Sequence, residues 1–367
     1  MLLLCTGLFA LSFLITADLV PWIIRLARRT GFMDLPGPRK IHSEPMPYGG
    51  GLAVAAGVLV PVLGGVLGAW LHREFGWFSS FPRLLTFHVP GVFLRLPTLL
   101  VYVLGSLVML CLGLADDRHR LSPARKLLVQ TIVAVGVALG GERLELFDGG
   151  TVPSVVVTVL WIVGVTNAFN LLDHMDGLSG GVAAVAGAAF LIVALQTGQI
   201  FIAALIVPLL GACAGFLVFN FPPAKIFLGD AGSLFIGFWL SCLTISSTFY
   251  EEKYALYTYA VPLAVLAVPL FDTGCVFLIR LRNRRPLFQG DTNHLAHRLV
   301  ALGMSRRGAV LAIYALTLYA GLSAVLLYYV DPAGAWIVLS QLLLTFGIMT
   351  LIEAAGRRRA HEPPASR

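Results

Sequence analysis

Charge is what this sequence has least of. Only 12% of its 367 residues are charged and 58% are apolar, against roughly 25% and 45–50% in an ordinary soluble domain, which excludes a water-soluble fold. Cysteine is scarce as well. Cys5, Cys111, Cys213, Cys242 and Cys275 stand singly in apolar stretches with no CxxC pair, so neither a disulfide framework nor a thiolate metal site is expected and each packs as a small hydrophobe. No internal repeat and no low-complexity tract is present, which excludes repeat architectures. The formal charge of +7 does not point to nucleic acid, because the basic residues fall in short loops between apolar runs rather than on one folded surface.

What is present in quantity is the long apolar run. A membrane-crossing helix needs about 20 mainly apolar residues, and eleven stretches qualify: 2–24, 49–71, 98–115, 124–141, 152–170, 177–197, 200–219, 231–250, 256–279, 308–330 and 333–354. No positive charge precedes the first run and no small-residue cleavage site follows it, so it is read as a retained span rather than a secretory signal. The expected fold class is therefore all-α, a polytopic membrane helix bundle of about 11 spans with the N-terminus outside and the C-terminus cytoplasmic. That orientation puts 21 of the 26 Lys and Arg residues in cytoplasmic segments; Arg73, Arg83, Arg95, Arg143 and Lys253 fall outside, as the positive-inside bias requires. Residues 1–355 form the membrane domain. Residues 356–367 are expected to be a disordered basic, Pro-rich tail near anionic headgroups. The external segment 72–97, with Trp77, Phe78, Phe81, Phe87 and Phe93, either lies flat at the interface or forms an ordinary loop.

Carboxylates at helix ends in such a bundle mark function, and here they share one side. Asp116 and Asp117 end the third stretch in GLADD. Asn167, Asn170, Asp173 and Asp176 end the fifth in NAFNLLDHMDGL, and Asp230 follows the seventh in FNFPPAKIFLGDAGS. Adjacent acids repel, so a cation is needed to keep both ionised. Oxygen donors without Cys or clustered His suit Mg²⁺, which takes one or two carboxylates and completes its shell with water and phosphate. The N-x-x-N-x-x-D-x-x-D spacing stacks polar groups along one stripe of a helix end. Pairing with Arg118, Arg120 and Arg125 is the structural alternative for Asp116 and Asp117. The GDAGS glycines allow backbone N–H groups to approach a phosphate.

Two basic loops complete the pattern. RKIHSEPMPYGGG places Arg39, Lys40 and His42 ahead of two prolines and a glycine run, either as an orientation anchor or as a shaped loop bordering a phosphate. RLRNRRPLFQGDTNHLAHRL holds His294, His297 and Arg298. Two His three apart lack a local third ligand for zinc, so contact with a diphosphate is the better reading, since Arg matches phosphate bidentately. Asp272, in PLFDT, is read as a buried structural acid.

Together and in this order, the motifs resemble those of the polyprenyl-phosphate N-acetylhexosamine-1-phosphate transferases, over most of the chain. The resemblance implies a bundle of ten or eleven helices with a cytoplasmic active site, in a bacterial inner membrane, acting at the first membrane step of cell-envelope polysaccharides such as lipopolysaccharide or teichoic acid. It implies a UDP-sugar donor, UDP-GlcNAc by the likeness of the RKIHSEPMP loop to N-acetylglucosamine-type members, a polyprenyl phosphate acceptor, Mg²⁺ with Mn²⁺ as a substitute, no nucleic acid, and room for a homodimer. Carried over by motif, Asp116 and Asp117 are the catalytic pair, Lys126 a phosphate contact, and Asn170 and Asp230 the metal positions. Asp173 and Asp176 match the nucleotide region, with Asp176 near uracil. Lys40, His42, Asn167 and Asn220 join the substrate group, and His294, His297 and Arg298 match the histidine motif that meets the diphosphate.

Three residues depart from the family pattern. His174 replaces a glycine, Ala296 a histidine, and Tyr48 stands where the family often has arginine. None removes a carboxylate. The implied reaction attacks the phosphorus nearest the sugar and releases UMP, with Asp116 or Asp117 as base or nucleophile holder; a route through an aspartyl phosphate stays open. A phospho-N-acetylmuramoyl-pentapeptide transferase is the related alternative. A lipid-linked substrate transporter is the alternative of a different class, although its acids belong near the midplane of duplicated halves.

Overall fold

The computed structural model describes residues 2–36, 44–77, 88–144, 150–247, 256–284, 286 and 294–361. Helices dominate, and the protein is an all-α polytopic membrane bundle. It divides into two compact units, Met1–Thr248 and Phe249–Arg367.

In the first unit the order is α1 (Leu2–Thr30), a two-residue antiparallel pair β1 (Met33–Asp34) and β2 (Met46–Pro47), α2 (Gly50–Phe75), a short α3 (Val89–Leu94), α4 (Leu96–His119), α5 (Pro123–Leu139), α6 (Thr151–Leu172), α7 (Leu178–Gln196), α8 (Ile200–Asn220) and α9 (Gly229–Ser246). The second holds a 3₁₀ turn (Leu256–Ala260), α10 (Val261–Val265), α11 (Ala267–Arg282), α12 (Leu295–Ala301), α13 (Arg306–Leu326) and α14 (Pro332–His361).

Each of the eleven apolar stretches contains a helix. Among the described residues nine are long and apolar enough to span a membrane, and the turn-plus-α10 segment with α11, bent by 72°, would make a tenth. The expected span at 124–141 is not among these: α5 has 17 residues, about 26 Å at 1.5 Å per residue, at the short end of the roughly 17–25 residues that cross a bilayer. Pro123 and Gly140 bound it. Within 72–97, Val89–Leu94 is helical, while 78–87 lie outside the described residues. The last helix continues past residue 355 to His361, because Glu353, Ala354, Ala355 and the arginines are good helix formers.

The apolar composition alone would not decide which helix is central. The first unit is organised around α9, whose residues are buried almost throughout, with Phe235, Phe238 and Trp239 fully so. A helix surrounded by protein has no lipid-facing side, so α9 can carry Ser233, Ser241 and Thr244 in its interior, each hydroxyl bonded to a backbone carbonyl three or four residues back. Small residues set the close crossings. A Cβ on Gly211 or Gly215 of α8 would lie 2.3 or 2.5 Å from the Phe9 or Phe13 carbonyl of α1. On Gly51 of α2 it would meet the Gly232 nitrogen at 2.2 Å, and on Gly113 of α4 the Ala231 Cα at 2.3 Å. Thus α2 and α4 press on the first turn of α9, which fixes where Asp230 stands.

Candidate active site

The ends of α4, α6 and α8 and the starts of α5, α7 and α9 carry the polar motifs, as an up-and-down bundle dictates. Asp117 reaches across to α9. Its Oδ1 accepts from the Asp230 N–H at 2.8 Å and its Oδ2 from the Ala231 N–H at 3.2 Å. An acid from one helix thereby caps another, where the positive end of the helix dipole favours it. The approach requires Gly229, whose φ is +75° and whose Cβ would sit 2.6 Å from Asp117 Oδ2.

Asp116 faces the other way. Its Oδ1 accepts from the Leu121 N–H at 2.6 Å, and its Oδ2 meets Lys126 Nζ at 2.6 Å. The same ammonium lies 2.9 Å from Asp230 Oδ2. Lys126 is 18% exposed and its partners 11% and 29%, so one partly desolvated cation offsets two carboxylates. Arg118, Arg120 and Arg125, the alternative partners considered for the acidic pair, are exposed.

Asn170 donates through Nδ2 to Ser233 Oγ at 3.0 Å, while Ser233 gives its own hydrogen to the Gly229 carbonyl at 3.1 Å. A hydroxyl has one hydrogen, so Ser233 must accept from Asn170, which identifies the amide edge facing it as NH₂ and turns Oδ1 the other way. Asn167 donates to Gln130 Oε1 at 2.6 Å and to the Val163 carbonyl at 2.8 Å. Gln130 is fully buried on α5, one turn beyond Lys126.

Asp173 follows α6 and is partly buried. Burial holds its carboxyl well above the usual carboxylate range, with the charges of Asp230, Asp117 and Asp176 adding and the Gly229 N–H opposing. Asp176 Oδ2 accepts from the Ala224 N–H at 3.0 Å. Asn220 is buried, accepts from the Gly177 N–H at 2.9 Å and donates to the Ile226 carbonyl at 2.8 Å. These bonds tie the loop after α6 to the loop after α8.

Asp116, Asp117, Lys126, Asn170, Asp173 and Asp230 are therefore linked, directly or through Ser233 and Gly229, in the first unit; Asp176 and Asn220 hold the adjoining loops, and Asn167 pairs with Gln130. The five carboxylates and the Asn170 amide offer oxygen donors of the kind a hard divalent cation takes, with the Lys126 ammonium among them. Lys40 and His42 lie outside the described residues.

His294, His297 and Arg298 belong to the second unit. His294 is buried with Nδ1 2.8 Å from Asp272 Oδ2, the Leu295 N–H donates to Asp272 Oδ1 at 2.6 Å, and Arg298 Nη2 lies 3.6 Å from that oxygen. The fully buried Asp272 thus holds the start of α12. His297 is half-buried.

Comparison with known proteins follows the same motifs. Glycosyl transferase family 4 matches residues 99–248. A probable undecaprenyl-phosphate N-acetylglucosaminyl 1-phosphate transferase of Bacillus subtilis strain 168 is 32% identical over 355 residues, covering 94% of this chain and 90% of its own length. This chain belongs to glycosyl transferase family 4. A decaprenyl-phosphate N-acetylglucosaminephosphotransferase of Mycolicibacterium smegmatis is 31% identical, covering 92% of this chain and 86% of its own. An undecaprenyl-phosphate alpha-N-acetylglucosaminyl 1-phosphate transferase of Escherichia coli K12 is 26% identical, covering 91% and 87%. The family match at 99–248 takes in α4 through α9, the helices that carry the carboxylate cluster. Two partners escaped the sequence reading: Gln130 and Ser233. Gln130 had a visible signal, a lone amide one turn from Lys126 in an apolar helix. Ser233 had none, because hydroxyls are common in buried helices.

Proposed function

We propose that this chain transfers N-acetylglucosamine 1-phosphate from UDP-GlcNAc to a polyprenyl phosphate, releasing UMP, at the cytoplasmic face of a bacterial inner membrane. The observation that carries the reading is that Lys126 bridges Asp116 and Asp230 while Asp117 holds the backbone at Asp230, in a chain whose relatives are named as polyprenyl-phosphate N-acetylglucosamine phosphate transferases.

The acceptor phosphate attacks the phosphorus nearest the sugar, and the bond from that phosphorus to the UMP oxygen breaks. Such transfers are catalysed mainly by positioning and neutralisation of charge. Mg²⁺ held by Asp230 and Asn170 would neutralise the diphosphate. The chain's own residues do the rest. Asp117 fixes the first turn of α9 and with it Asp230. Lys126 holds the Asp116 and Asp230 oxygens in one register and offers a cation to the phosphates. Asp116, the member of the pair that does not cap α9, is the better candidate to orient the attacking phosphate. Asp173 and Asp176 border the nucleotide, and the Asn220 bridge keeps their loop in place. In the second unit we assign His294, His297 and Arg298 to anion binding, with Asp272 setting the His294 ring. The test is UMP release by purified protein given polyprenyl phosphate and a panel of UDP-sugars, with and without Mg²⁺.

A further inference from the structure

The sequence marked Tyr48 only as standing where relatives often have arginine. Its surroundings give it a role. The Tyr48 N–H donates to the Phe32 carbonyl at 3.1 Å, extending the β1–β2 ladder by one step beyond Met33↔Pro47. On either side the chain is bound to the loop before Asp230: the Phe227 N–H donates to the Pro47 carbonyl at 2.9 Å, Gly50 N–H to the Phe227 carbonyl at 3.0 Å, and Gly51 N–H to the Leu228 carbonyl at 2.9 Å. The ring packs at a tilt on Phe32, ring centroids 5.7 Å apart, and in a T-shaped contact with Phe227, centroids 6.3 Å apart. Backbone and ring are thus both fixed against the segment that delivers Asp230.

The hydroxyl donates to Asp34, a buried acid, and lies within electrostatic range of Asp117 and Asp230. Burial, with Asp34 and the two site carboxylates adding, pushes the phenol far up, so it stays neutral at any physiological pH. With its single hydrogen given to Asp34, the oxygen has only lone pairs to offer. The donor's diphosphate has no hydrogen to give it at neutral pH. The hydroxyls and acetamido N–H of the donor sugar do, and the ribose and uracil donors are assigned above to Asp173 and Asp176.

We propose that Tyr48 is a substrate contact whose oxygen accepts a hydrogen bond from the sugar of the nucleotide donor, with Asp34 as the positioning residue that aims it. The inference rests on the transferase reading. It separates sugar from nucleotide by kinetics: Tyr48→Phe keeps the ring and deletes the acceptor, so KM for UDP-GlcNAc should rise about fivefold to tenfold, the scale of one lost hydrogen bond. kcat should stay within about twofold, and KM for polyprenyl phosphate and inhibition by UMP should not move. Asp34→Asn, whose amide competes for the phenol oxygen, should raise the donor KM about threefold and serves if the Phe variant does not fold. An unchanged donor KM, or a parallel loss of UMP affinity, overturns the inference while leaving the transferase reading standing. Wild-type protein that neither binds UDP-GlcNAc calorimetrically nor releases UMP overturns both.

Discussion

Lys126 touches Asp116 and Asp230 together, so its removal acts on both. Lys126→Ala leaves two partly buried acids facing each other without their cation, and UMP release should fall by about 10²–10³-fold, the scale of losing one preorganised electrostatic contact. Gly229 is a sharper probe because no catalytic group is altered. Gly229→Ala forces a Cβ toward Asp117 at a positive φ. It should cost about 1–2 kcal/mol of stability and at least tenfold in activity, read by thermal unfolding and the same assay. Asp173 contributes to the pH dependence. Its carboxyl is raised in the folded state, so the folded protein holds that proton more tightly. Stability is therefore lost as pH rises from the ordinary carboxylate range through the folded value. Asp173→Asn removes that loss: substrate-free variant should be the more heat-stable protein at pH 8, with the difference shrinking toward pH 4. A wild-type advantage at pH 8 would contradict the assignment.

At the scale of elements, the glycine crossings divide into two kinds. Gly113 lets α4 reach the backbone at Asp230 and Ala231, whereas Gly211 and Gly215 join α8 to α1 away from the carboxylates. Gly113→Ala should depress activity at least tenfold, while Gly211→Ala should lower the thermal midpoint and leave the kcat of surviving protein within about threefold. Measuring both quantities on each variant separates packing from positioning. The helices were legible in the sequence because apolar length is a one-dimensional signal, and the carboxylates because charge at helix ends in an apolar chain stands out. The shortness of α5 was not, since Pro123 and Gly140 trim an apolar run that composition alone extends. Nor was the central place of α9 visible, because burial on all sides depends on which helices have small residues opposite it. Asp117 was read as half of a symmetric pair. Its division of labour with Asp116 depends on a φ at Gly229 that no spacing reveals.

For the whole molecule, an up-and-down bundle with its acids at one end makes a topological prediction. Cysteines introduced at exposed Arg118 or Arg120 should resist an impermeant thiol reagent in intact cells and react in inverted vesicles, in a background with Cys111 replaced. One at Trp77 should do the reverse. The measurement that bears most directly on the central claim is UMP release by the folded, purified protein. UMP should appear with UDP-GlcNAc, polyprenyl phosphate and Mg²⁺ together, and should be lost on omitting any one. Folded protein that releases no UMP from any UDP-sugar in the presence of lipid phosphate and metal would contradict it.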